Sequence, residues 1–354
     1  MVYILNLIFT VGYSFFVKKI KILYFIPILS VWIIILGGQY EVGTDYNNYL
    51  KFFYGIRDIR LFFLQKEYIF YYFMKIISNI FSNGQVLFVL ISGVESFIFI
   101  IFIKKCEQLK FLKKENLFIF MFLYLGYGTL FYNQMNTLRQ SFNVYLFSIS
   151  VLYILQKKIK FSFLVNIIAI FIHRSTYLLF PFYFIYYFIF RKIDKKMLYY
   201  SLLIGSFVIS LFNIIAIIEP FIFKYVPSFK IYFLAEKVKE VSFEKKILKY
   251  IYLPFYFLSI NLIEKKKKEK EILKIGIVAY SIRILTSNIG VVVRMGEYFV
   301  LLSIFPIYYL IEDWLKRKKY FFVLFFISMI LGIFILKVTI FATGEYYYRS
   351  YLLN

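Results

Sequence analysis

Residues 312–341 read EDWLKRKKYFFVLFFISMILGIFILKVTIF. A basic cluster, Lys316 to Lys319, is followed by an apolar run from Tyr320 to Phe341 whose one charged residue is Lys337, near its end. About 20 apolar residues suffice for a helix to cross the hydrocarbon core of a bilayer. Lysine and arginine packed against the end of such a run mark the side that stays in the cytoplasm. Working outward, the same alternation recurs along the chain. Apolar runs fall at 2–17, 22–38, 85–103, 117–133, 138–155, 161–174, 176–190, 197–218, 247–263, 272–289, 295–311 and 320–341, about twelve spans of helical length.

The chain has 354 residues, 62% of them hydrophobic, with a mean hydropathy of +0.75. Soluble domains carry nearer half apolar residues and rarely gather them into runs of about 20. The expectation is an all-α, polytopic integral membrane protein forming one membrane domain over residues 1–354, because no stretch is polar and long enough for a soluble module. The net charge of +24 is held in short clusters between apolar runs, such as Lys18-Lys19, Lys113-Lys114, Lys157-Lys158 and Lys265 to Lys268. That placement sets orientation and excludes nucleic acid as the reason for the charge. A single cysteine, Cys106, and a single histidine, His173, rule out an internal disulfide and make a His/Cys zinc site untenable. No metal or cofactor is expected. Residues 1–17 lack a basic start and a small-residue cleavage site, so they read as a first span and not as a signal peptide.

Segments 18–21, 104–116, 156–160, 191–196, 264–271 and 312–319 are short and basic, and are expected on the cytoplasmic side. Segments 39–84, 219–246 and 342–354 are longer and closer to neutral, and fall outside, with both termini outside too. This alternation requires that 68–82 lie along the interface as an amphipathic helix, since Lys75 sits in its middle. It also makes 161–190 a tight hairpin turning near His173-Arg174-Ser175. The outer loop 219–246 has helical apolar spacing at Ile231, Leu234, Val238 and Val241, as expected of a second interfacial helix.

Ionisable side chains at membrane depth cost several kcal/mol unless they face water or a partner, so those interrupting the apolar runs are functional candidates. Asp45 follows the second span in Val42-Gly43-Thr44-Asp45-Tyr46. Arg139 opens the fifth span in Leu138-Arg139-Gln140-Ser141, after a turn bearing Asn133, Gln134 and Asn136. His173 and Arg174 cap the hairpin, Arg283 lies in the outer half of the tenth span, and Arg294 and Glu297 flank the next outer turn. All fall toward the outer side. Arginine remains charged at any accessible pH and binds phosphate oxygens through two parallel donors, which suits Arg139, Arg174, Arg283 and Arg294 to a lipid-borne diphosphate. Arginines near helix ends also snorkel to the interface without further duty, and that alternative stays open for Arg174 and Arg294. Asp45 and His173 are the candidate bases for a sugar hydroxyl, with Arg139 beside them, and Thr44, Tyr46, Gln140 and Glu297 are candidate sugar contacts.

The order Val-Gly-Thr-Asp-Tyr, Leu-Arg-Gln-Ser, His-x-Ser and Arg-x-x-x-Tyr-Phe (Arg294 to Phe299) resembles the EpsG family of Wzy-type polysaccharide polymerases over roughly residues 35–310. The resemblance implies a metal-independent glycosyltransferase of the bacterial cytoplasmic membrane. Such an enzyme joins undecaprenyl-diphosphate-linked oligosaccharide units on the outer face into capsule, O-antigen or exopolysaccharide. Its implied partners are that lipid-linked substrate, membrane lipids, a chain-length regulator and a flippase. Motif by motif, the resemblance carries over to Asp45, Arg139, His173 and Arg294. One departure stands out: the family pattern leads one to expect an arginine shortly before the Gly-Thr-Asp turn, where this chain has Gln39. Either Arg57 or Arg60 takes its place or the first motif carries less meaning. The alternatives are a flippase for lipid-linked sugars, which would need polar groups spread through the midplane, a polysaccharide ligase, and an acyltransferase.

Overall fold

The computed structural model describes residues 1–43, 45–128, 130–212, 250–266, 268–287, 290–342 and 344–351. Thr44 and the loop 219–246, with its expected interfacial helix, lie outside the described residues. Among the described residues the regular structure is helical, and the one strand-like pairing is an isolated antiparallel bridge between Gln39 and Ser350. The chain divides into two compact units, residues 1–183 with 319–354, and residues 184–318.

The first unit contains α1 (Val2–Phe16), α2 (Ile22–Gly37), α3 (Tyr46–Phe53), α4 (Arg60–Leu64), α5 (Tyr68–Ile80) and α6 (Gln85–Gln108). It continues with α7 (Leu117–Phe122), α8 (Leu130–Asn133), α9 (Leu138–Leu155), α10 (Ile159–Ile172) and the start of α11 (Phe180–Phe188). The helix Tyr320–Val338 also belongs to it. Among the described residues three helices are long and apolar enough to cross a membrane by length and composition, α6, α9 and Tyr320–Val338, with α1, α2 and α10 shorter and also apolar. The last helix leaves Phe321, Leu324, Phe325, Ile335 and Leu336 exposed, an apolar face suited to lipid.

The run 117–133 is not one continuous helix. After α7 the backbone widens into a π turn, Leu123–Tyr127, in which Gly128 N–H reaches Leu123 O at 2.8 Å. Gly126 sits there against Ile330, where an added Cβ would stand 3.1 Å from a side-chain methyl. The widened turn carries Tyr124, whose hydroxyl pairs with that of Tyr145 at 2.6 Å while Gln134 Nε2 donates to both. Polar groups in an apolar interior need such partners. The segment still runs the length of the unit, because Phe118 stacks on Phe15 at one end of α1 and Tyr132 packs on Tyr3 at the other.

The two ends of this unit differ in chemistry. At one end, the basic segments meet: Lys105 Nζ lies 3.5 Å from the Tyr153 ring centroid. At the other, Gln85 Nε2 donates to the carbonyl of Gln39 while its Oε1 accepts from Tyr46 OH at 2.8 Å. Tyr3 OH donates to Glu345 O at 2.6 Å at this end. Residues 349–351 lie alongside 38–40, with Tyr40 N–H to Arg349 O at 2.9 Å and Tyr351 N–H to Gly38 O at 2.8 Å. The turn at Gly43 completes this end. Gly43 has φ +73° and faces Asn136, whose Oδ1 would lie 2.7 Å from an added Cβ. Gly43→Ala is therefore expected to destabilise the protein by about 1–3 kcal/mol, through left-handed backbone strain and the steric clash together. A melting temperature equal to wild type in detergent would show that the turn is not held this way.

The second unit contains α12 (Lys196–Leu211), α13 (Leu253–Ile260), α14 (Leu262–Lys265), α15 (Lys270–Leu285), α16 (Gly290–Glu297) and α17 (Val300–Lys316). Gly276 lets α15 approach α17 at Pro306, whose ring would lie 2.4 Å from an added Cβ. Its basic connectors carry their own acids. Lys196 pairs with Glu264 at 2.6 Å, Lys270 with Asp194 at 2.7 Å, and Lys266 with Glu312. The buried Lys274 meets Asp194 and Glu271 at 3.1 and 3.0 Å.

Candidate functional site

At the polar-turn end of the first unit, the hairpin between α10 and α11 is pinned by an amide from α9. Asn143 Nδ2 donates to Ala169 O at 2.8 Å, His173 O at 3.1 Å and Thr176 Oγ1 at 2.7 Å. Thr176 Oγ1 in turn donates to His173 O at 3.0 Å. The α-helix stops at Ile172 because His173 turns extended, with φ −150° and ψ 117°, and a short 3₁₀ turn follows over Arg174–Leu179. The imidazole is thereby carried on a fixed piece of backbone.

Its partner is Glu67. The α4–α5 connection turns sharply at Lys66, whose φ is +63°, and delivers Glu67 to the start of α5. Glu67 lies on the same helical face as Phe70, Met74 and Ile77, the residues α5 buries, and is itself fully buried. Its Oε1 lies 2.6 Å from His173 Nδ1 and accepts from Arg174 N–H at 3.1 Å. Its Oε2 forms an ion pair with Arg139. A helix N-terminus also favours a negative charge.

Arg139 sits in the first turn of α9. Its Nε donates to Tyr49 OH at 3.2 Å, and its guanidinium lies over the Phe62 ring at 4.8 Å and near Phe70 at 5.5 Å. Such cation–π contacts help hold a charge that water reaches only on one side. Arg139 and His173 keep 22% and 23% of their side-chain surface exposed while Glu67 keeps none, so the carboxylate can act only through the two residues in front of it.

Glu67 precedes α5 and His173 follows the end of α10, so neither lies within an apolar helix. Burial pushes the Glu67 carboxyl upward, but the hydrogen bond from His173 and the Arg139 charge outweigh it and leave the carboxyl below its ordinary range. Burial lowers His173, the Glu67 bond raises it, and the Arg139 and Arg174 charges lower it again, leaving it below the ordinary histidine value. At neutral pH the cluster therefore holds an ionised Glu67, a cationic Arg139 and a neutral imidazole. An ionised carboxylate only accepts hydrogen bonds, so Nδ1 carries the imidazole proton and Nε2 carries the lone pair.

The first motif reaches the same neighbourhood. Asp45 stands at the N-terminal end of α3, and its backbone N–H donates to Asn136 Oδ1 at 3.3 Å, joining the Gly-Thr-Asp turn to the turn preceding Arg139. One helical turn further on, Tyr49 accepts from Arg139. Tyr46 is buried, stacked on Phe88 at 4.6 Å. Gln140 is buried in α9. Of the arginines weighed against Gln39, Arg57 donates to Asn48 Oδ1 at 3.4 Å and lies 5.1 Å from the Phe52 ring, while Arg60 pairs with Asp58. A third arginine comes from far along the sequence, since Arg349 pairs with Glu41 at 3.2 Å.

Arg283, Arg294 and Glu297 belong to the second unit. Arg283 Nη1 donates to Ser303 Oγ at 2.9 Å, linking α15 to α17, and Arg294 is exposed on α16. Gly296 allows α16 to lie against Thr286, whose Oγ1 would be 2.3 Å from an added Cβ. Among the described residues no group of three or more His, Cys, Asp or Glu could hold a metal ion. Glu67 and Asn143 were not among the residues singled out in the sequence. The signal for Glu67 was its register on the apolar stripe of α5, where an acid is out of place unless paired.

No curated protein and no solved structure matches the chain. The EpsG family model matches residues 21–352, nearly its whole length. That match takes in the Glu67-centred cluster of the first unit and the arginine-bearing turns of the second, and the chain, a membrane-integral protein, belongs to the EpsG family of Wzy-like polysaccharide polymerases.

Proposed function

We propose that the protein is a metal-independent glycosyltransferase of the bacterial cytoplasmic membrane. It joins undecaprenyl-diphosphate-linked oligosaccharide repeat units into a cell-surface polysaccharide on the outer face. The observation that carries this reading is the cluster itself: an imidazole with a free lone pair beside a guanidinium, both partly open, at the end of the first unit away from its basic connectors. By the positive-inside rule that end faces outward. A growing glycan carried on lipid diphosphate presents there the two groups such a site handles, a hydroxyl that must lose a proton and a diphosphate that must leave with added charge.

Arg139 already shares its charge with Glu67, so it stabilises the departing diphosphate together with Arg174. In the second unit, taken by itself, Arg283 and Arg294 are the proposed phosphate-binding arginines. Asp45, Thr44, Tyr46, Gln140 and Glu297 are the proposed contacts to sugar. In a deletion strain, single lipid-linked units are expected to accumulate facing outward, with long polymer absent. Units retained on the inner leaflet would instead identify a flippase and overturn the reading.

A further inference from the structure

Glu67 is buried behind His173 and Arg139 and reaches no substrate, yet it meets both of these partly open side chains. Its two oxygens are divided between them, with Oε1 toward His173 Nδ1 and the Arg174 N–H, and Oε2 toward Arg139. We propose that Glu67 is the positioning residue of the transfer, holding the imidazole proton on Nδ1 so that His173 Nε2 receives the proton of the attacking sugar hydroxyl. This rests on the reading of the protein as a polymerase and adds the device that sets its base.

The acceptor hydroxyl gives its proton to Nε2 as its oxygen forms a bond to the anomeric carbon of the donor glycan. The bond from that carbon to the lipid diphosphate breaks, and its electron pair leaves on the diphosphate oxygen, which gains one negative charge. His173 becomes an imidazolium, its new charge faces the diphosphate, and the proton passes to water after the product moves on. Glu67 stays ionised throughout, because Arg139 and the Arg174 N–H continue to favour the carboxylate.

The charged and titratable groups around the imidazole come from several elements. They are Glu67 before α5, Arg139 on α9, Arg174 next in the chain, and, behind Arg139, Tyr49 and Asp45 of α3. Activity requires a neutral His173, so it is lost as pH falls through the lowered value of that group. Glu67 is the one group that raises it, through its hydrogen bond and its charge, and a neutral amide in its place removes the charge. The acid limb of the pH profile should therefore move to lower pH in Glu67→Gln, even as the rate falls on the order of a hundredfold because the tautomer is no longer fixed. Glu67→Asp, which keeps the carboxylate, should recover part of the rate and keep the acid limb near its wild-type position.

The assay uses full-length protein in lipid nanodiscs, fed single lipid-linked units extracted from the deletion strain, with polymer ladders read against pH. An unmoved acid limb in Glu67→Gln, with His173→Ala inactive, would overturn the positioning role and leave the polymerase reading standing. Intact ladders in His173→Ala would overturn the base and, with it, the positioning role, whereas the absence of any ladder with the wild-type protein would overturn the polymerase reading itself. Should Glu67→Gln fail to fold, the wild-type protein still decides. His173 is the chain's single histidine, so ¹⁵N-histidine labelling yields one imidazole spectrum. Protonated Nδ1 with bare Nε2 is the expected result, and the opposite tautomer would refute the proposal.

Discussion

Arg139→Ala is expected to cost about 3–5 kcal/mol of stability, because it leaves the fully buried Glu67 carboxylate without its counter-charge. That is a large part of the roughly 5–15 kcal/mol that separates most folded domains from unfolding. The guanidinium also fills space among Tyr49, Phe62 and Phe70, so its removal opens a gap in packed aromatic surface. Polymer should vanish in the same variant, since a Glu67 that regains a proton no longer fixes the imidazole. Thermal unfolding in detergent and the cellular glycan ladder read the two effects separately. The paired change Arg139→Met with Glu67→Met should recover most of the stability and none of the polymer, because it removes both charges at once. Wild-type melting and normal chain length in Arg139→Ala would sink the assignment.

His173→Gln separates chemistry from architecture. Glutamine keeps a hydrogen-bonding side chain at the hairpin but cannot take a proton. Arg139 still neutralises Glu67, and Asn143 still pins the turn through the His173 carbonyl, which the substitution retains. Stability should fall by only about 1 kcal/mol, the net worth of one hydrogen bond. Polymerisation should drop by a factor of about 10²–10⁴, the usual contribution of a positioned base, with single lipid-linked units accumulating. A normal ladder in this variant would move the base to Asp45 or to water.

Much of the helical frame was legible because hydrophobic runs leave a chain little choice in a bilayer. The run 138–155 is α9 to the residue, and 320–341 ends only three residues beyond the observed helix. The continuous helix expected over 117–133 was not found, since its tyrosines and Gln134 satisfy one another only across a widened turn at Gly126 and Gly128. The site was half legible. Arg139 and His173 stand out because each interrupts apolar sequence. Glu67 follows Gln65 and Lys66 in a stretch that reads as solvated, and only the helical register with Phe70, Met74 and Ile77 reveals that it points inward. Asn143 is hidden for the opposite reason: a lone amide in a long helix looks like tolerance until its three acceptors are seen to come from the hairpin.

The pairing of residues 38–40 with 349–351 has a consequence in the order of synthesis. A polytopic chain enters the membrane span by span as the ribosome makes it, so the loop after α2 emerges near the beginning. The segment that lies alongside that loop emerges only after the last apolar helix has been inserted. Until then the strand leading into the Gly43 turn lacks its backbone partners and Arg349 has not reached Glu41. A half-made chain, even one that has already inserted Glu67, Arg139 and His173, thus holds the loop before Gly43 without these backbone partners until residues 349–351 have been made.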